Sequence, residues 1–87
     1  MGNLSPLLLL GVRDGATVKS APGQQVLTMP LSSQGGGSER WWFLNGEPLP
    51  GNGSHVTLSL THPGTWQVLV MDEAGQIATA TFTLMAP

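Results

Sequence analysis

Trp42-Phe43-Leu44-Asn45-Gly46 and, downstream, Gly64-Thr65-Trp66-Gln67-Val68 decide how this chain folds. The first places an aromatic just before an Asn-Gly turn, and the second opens another extended segment with an aromatic. Working outward from them, turn signals recur at Asp14-Gly15, Pro22-Gly23, Gly35 to Gly37, Asn52-Gly53, Pro63-Gly64 and Ala74-Gly75. The stretches between are too short for ordinary helices, so the spacing predicts an all-β sandwich or barrel. Strands are expected at Leu7 to Val12, Thr17 to Lys19, Val26 to Leu31, Arg40 to Leu44, His55 to Leu60, Thr65 to Met71 and Gln76 to Leu84.

Alternation assigns faces within those strands. Val56, Leu58 and Leu60 alternate with His55, Thr57 and Ser59, which sends His55 to water. Trp66, Val68 and Val70 share one side, and Ala78, Ala80, Phe82 and Leu84 share another, with Thr79, Thr81 and Thr83 outward. Leu27, Met29 and Leu31 form the apolar set of their strand, and Pro30 on the other parity predicts an edge or a bulge, because proline has no N–H for a ladder. Gln34 to Ser38, with its three glycines, reads as a flexible connection. Around the Asn45-Gly46 turn, Trp42 and Leu44 fall on one side, Trp41 and Phe43 on the other.

About seven short antiparallel strands with this aromatic pairing resemble an immunoglobulin-like β-sandwich, in which a Trp on the third strand and an aromatic on the penultimate one pack between two sheets. The expected core is Trp42, Leu44, Trp66 and Val68. Trp66 and Val68 stand where such domains often carry Tyr and Cys, so no disulfide is available and Val68 must pack against Met29 or Leu31. Met71 to Gln76 reads as a hairpin loop, with Gly75 at positive φ and Asp72 capping its own turn.

The 87 residues suffice for one domain, placed at residues 7–84, with an N-terminal tail at 1–6 whose Met1-Gly2 reads as an introduced start on a segment of a longer protein. Hydrophobic residues make up 40% but charged ones only 9%, so Ser, Thr, Gln, Asn and Gly must cover the surface. Three basic residues against five acidic ones give nothing to neutralise a phosphate backbone, which excludes nucleic acid as a partner. Leu7 to Leu10 is far shorter than a membrane span, and no direct membrane insertion is expected. The triplets Asn3-Leu4-Ser5 and Asn52-Gly53-Ser54 are too short to signify glycosylation.

The chemistry-bearing residues are few. With no cysteine there is no thiolate ligand or nucleophile, and His55 and His62 have no carboxylate in register to complete a metal set, so no metal and no cofactor are expected. No serine has a base at a catalytic spacing, Gly35 to Gly37 lacks the Lys-Ser/Thr of a phosphate loop, and Asp72 and Glu73 read as turn residues. No catalytic residue is assigned. Trp41 and Phe43, turned away from the core, are the candidate exposed binding residues, suited to a protein contact or to sugar stacking.

Asp14-Gly15, the apolar strand at Val26 to Leu31, Trp42-x-x-Asn45-Gly46-x-x-Leu49, Gly64-x-Trp66 and Met71-Asp72-x-x-Gly75 together resemble the carboxy-terminal domain of bifunctional penicillin-binding proteins of the 1C type, over about Leu7 to Leu84. In that family the domain follows a peptidoglycan glycosyltransferase and a transpeptidase. The resemblance implies a periplasmic module, tethered to the inner membrane through its parent, that is not itself an enzyme. The partners it implies are the catalytic domains of the parent chain, with peptidoglycan or a periplasmic alpha-2-macroglobulin-like protein beyond them. An accessory scaffolding role leads, a glycan-binding module is the alternative, and an immunoglobulin-like module of another bacterial surface protein is the third reading.

Overall fold

Turn glycines and prolines divide the chain into eight strands in the computed structural model, which describes residues 5–19, 23, 26–51 and 53–85. They are β1 (Leu8–Leu10), β2 (Thr17–Lys19), β3 (Leu27–Gln34), β4 (Trp41–Leu44), β5 (Glu47–Pro48), β6 (His55–Leu60), β7 (Gly64–Met71) and β8 (Ile77–Met85). One sheet has the order β1-β3-β6 and the other β2-β8-β7-β4-β5. The layers are all-β and immunoglobulin-like, with no helix among the described residues. Residues 1–4 of the expected tail, Pro22 of one turn signal and Asn52 of another lie outside the described residues.

Four departures from expectation have local causes. The first strand stops at Leu10 because Gly11 takes φ 109°, and a Cβ there would sit 2.8 Å from Leu31 Cδ2. Past that kink the chain changes sheets, and β2 pairs with β8 in parallel, the one parallel ladder among the described residues, where antiparallel strands alone were expected. Strand β3 runs on to Gln34, since Ser32 to Gln34 pair with β1 and the Ser33 N–H donates to the Ser54 carbonyl at 2.8 Å. An eighth strand, β5, closes a hairpin on β4, with Asn45 (φ 50°) and Gly46 (φ 83°) in the left-handed region that a tight hairpin turn requires.

The core lies between the sheets. Trp42 is 1% exposed, and Leu58, Leu60, Val68, Val70 and Phe82 are sealed around it. Each such side chain contributes about 1.5 to 3 kcal/mol of burial. The Trp42 Nε1–H donates to the Gly53 carbonyl at 2.8 Å, and Trp66 Nε1–H to the His62 carbonyl at 3.1 Å, so neither indole strands a polar atom. Leu31 is buried in the same cluster as Val68, while Met29 and Leu44 are half-buried against it.

The glycine-rich connection is not a free linker. Asp72, 1% exposed, accepts from the Ala74 and Gln76 N–H groups of its own turn and, 35 residues back, from the Gly37 N–H at 2.9 Å. Glu73 accepts from the Ser38 and Glu39 N–H groups, and a Cβ on Gly37 would overlap its carboxylate. From the other side the buried Arg40 guanidinium donates to Ser33 Oγ and to the Gly35, Gly37 and Glu39 carbonyls. Gly36 N–H reaches the Ser5 carbonyl, at the edge of the expected tail. Glycine here serves close approach rather than mobility.

Candidate functional site

Strand β4 presents its side chains alternately to the core and to solvent. Trp42 goes in, and Trp41, 40% exposed, goes out on the far face of the five-stranded sheet. Register then lines up its neighbours. Trp41 pairs with Met71 and Met71 with Ile77, which makes one row across three strands; Phe43, Leu69 and Thr79 make the next, with Pro48 beyond Phe43. Phe43, Leu69 and Met71 are half-buried by one another, and Ile77 is 56% exposed.

Between them lies a shallow hollow of about 330 Å³, lined by Phe43, Gly46, Gln67, Leu69, Met71 and Ile77. None of its lining groups carries a charge. Toward the other end the same face continues as Gln67, Thr79, Thr81 and Thr83, an uncharged hydrogen-bonding strip. Both sequence-expected residues, Trp41 and Phe43, therefore sit on one surface, and three more join them. Leu69, Met71 and Ile77 went unnoticed in the sequence, although parity held the signal: Leu69 and Met71 fall on the Thr65-Gln67 side of β7, and Ile77 on the threonine side of β8.

Among the described residues the two histidines stand apart from the carboxylates. His55 is exposed, with Nδ1 3.0 Å from Ser54 Oγ, and His62 stacks on Trp66 with ring centroids 4.6 Å apart. No group of three or more His, Asp or Glu residues converges as a metal site among the described residues. The Asp72 carboxyl is held below its ordinary value: burial pushes it up, but the N–H donors of Gly37, Gln76 and Ala74 and the Gln76 amide outweigh that. Its lone pairs are spent on the fold, and it has no freedom to act as a base.

A model of the Penicillin-Binding Protein C-terminus Family matches residues 2–82. The chain belongs to that family. It is 60% identical over 79 residues to penicillin-binding protein 1C of Escherichia coli (strain K12), a match that covers 91% of this chain and 10% of that protein. The chain thus spans about a tenth of the length of that relative. Among solved structures, a crystal structure of a mutant complex of titin M10 with an obscurin-like 1 Ig domain aligns with a TM-score of 0.60 at 18% identity, covering 98% of this chain and 96% of that one. A crystal structure of the titin M10–obscurin-like 1 Ig complex in space group P1 gives 0.57 at 19% identity, covering 94% of each. These two establish the immunoglobulin-like fold of the family member and nothing further. No helix among the described residues is long and apolar enough to cross a membrane.

Proposed function

We propose that this domain is a non-catalytic accessory module of a bifunctional penicillin-binding protein, and that it holds a protein surface against the outer face of its five-stranded sheet. The observation that carries this reading is the contiguous uncharged patch of Trp41, Phe43, Leu69, Met71 and Ile77. Aromatic and methionine side chains in an uncharged patch favour protein contacts, because little desolvation opposes their burial. Membership of a C-terminal penicillin-binding protein family supports a role beside peptidoglycan synthesis, in the periplasm and tethered through the parent protein. The first partner is a catalytic domain of that parent, and an alpha-2-macroglobulin-like periplasmic protein is the second.

Capture from periplasmic extract with wild-type domain and with Leu69→Ser tests the reading. The patch variant should lose its partner while melting within a few degrees of wild type; retention of every partner would reject the assignment. A glycan reading is favoured by one feature, the exposed Trp41 ring near the Gln67 and threonine strip, since stacking plus hydroxyl hydrogen bonds suits a sugar. Chemical-shift mapping with peptidoglycan fragments discriminates: a silent Trp41 indole leaves the protein-contact reading alone.

A further inference from the structure

Most sheet edges in the described structure are short or blunted: the outer side of β8 is open only over Ile77 to Thr79, because β2 and the Asp14-Gly15 turn cover the rest, and β6 offers the longest open run. Strand β5 is two residues long and contains Pro48, β1 and β2 are three residues each, and β2 ends in Lys19. Short strands, prolines and edge lysines all discourage the addition of another strand. On β3, the stretch beyond the reach of β1 carries Pro30, whose nitrogen turns away from β6. Strand β6 is different: His55 to Leu60 holds no proline, lysine or acidic residue, and no described strand pairs with its outer side.

The ladder shows which groups that edge offers. The Ser33–Ser54 hydrogen bond sets the phase, so Leu31–Val56, Met29–Leu58 and Leu27–Leu60 face one another across the antiparallel pair. His55, Thr57 and Ser59 then direct their N–H and C=O groups outward. Beside the end of this edge, between β6 and the β4–β5 hairpin, opens a cavity of about 330 Å³. Leu44, Leu49 and Trp66 supply its apolar wall, Ser59 and Thr61 line the β6 side, and Glu47 brings the one carboxylate. A strand laid on β6 would turn alternate side chains toward this gap.

We propose that β6 accepts an extended peptide by strand addition, and that the cavity takes one long basic side chain of that peptide. Main-chain hydrogen bonds to His55, Thr57 and Ser59 supply affinity, while the cavity supplies selection. The apolar wall receives a methylene stem, and Glu47 meets the ammonium at its end. This site lies apart from the Trp41 patch and stands or falls independently of it.

The test titrates the 15N-labelled 87-residue chain with the capped peptide Thr-Val-Thr-Lys-Thr-Val-Thr and with its norleucine analogue. The amides of His55, Thr57 and Ser59 should shift and gain protection from hydrogen exchange, and the Trp66 indole should move while that of Trp41 stays put. The lysine peptide should bind about tenfold more tightly than the norleucine one, and Glu47→Gln should erase that preference. Thr57→Pro removes an outward donor outside the β3 ladder and should abolish binding; a peptide N-methylated on alternate residues probes the same bonds without touching the fold. Unprotected β6 amides, shifts gathered at Trp41 and Phe43, or a lysine preference that survives Glu47→Gln would overturn the proposal. So would β6 protection that grows with protein concentration in the absence of peptide, which would make a second copy of the chain the occupant.

Discussion

Trp41 and Trp42 are neighbours in sequence and opposites in setting. Trp42 is 1% exposed, packed between the sheets and hydrogen-bonded to Gly53, whereas Trp41 is 40% exposed on a row with Met71 and Ile77. The same five-stranded sheet therefore has one face that is committed to its own core and one that is apolar in part and uncovered in the described structure. Large apolar side chains on the first face are explained by stability. On the second they are not, which is why function is sought there.

Breaking the inner face should have the largest effect. Trp42→Ala removes the biggest sealed side chain and leaves Gly53 without its donor, at a cost of about 3 to 5 kcal/mol, enough to unfold most domains of this size. Chemical denaturation should show a sharply lower midpoint or no folded baseline. A midpoint within error of wild type would mean that the sheets do not close over this residue.

Next comes the polar seam that joins the two β-turn regions. Because the folded Asp72 carboxyl titrates below its ordinary 3.8, it contributes stability that is present above the unfolded value and lost as the pH falls through the folded one. Thermal melts should thus drop on acidification below about the ordinary carboxylate range, and the drop should be shallower in Asp72→Asn. That variant should also melt lower at neutral pH, since its amide places an N–H₂ among donors. Equal acid slopes for the two proteins would remove Asp72 from the account.

How far the chain announced all this follows from what alternation records. Parity read along β4, β6 and β8 separated Trp42 from Trp41 and the threonines from Phe82 without any knowledge of partners. It could not register bonds between distant segments: Asp72 is local to its turn in the sequence, yet one of its bonds crosses 35 residues to Gly37. The expected strand ends at Leu31, short of Gln34, because the polarity of Ser32 to Gln34 is satisfied by Ser54, Arg40 and β1, none of them adjacent. Leu69 and Met71 were hidden for another reason. They sit in the unbroken apolar run Val68 to Met71, where alternation of hydrophobicity disappears although alternation of direction continues.

The outer face yields smaller stability effects and sharper functional ones. Ile77→Ser and Leu69→Ser should each change stability by under about 1 kcal/mol, as for other exposed or half-exposed sites, while weakening partner capture. Trp41→Ala should perturb the fold least relative to the size of the side chain removed. Its ring rests on neighbours that remain packed without it, and its backbone bonds to β7 persist. If the outer face is a protein contact, Trp41→Ala and Leu69→Ser should fail together in capture, because both belong to one buried patch in the complex. If Trp41 instead stacks on a sugar, the tryptophan variant alone should lose its ligand and Leu69→Ser should keep it. Measured side by side, the two substitutions decide whether the uncovered face acts as a surface or as a single ring.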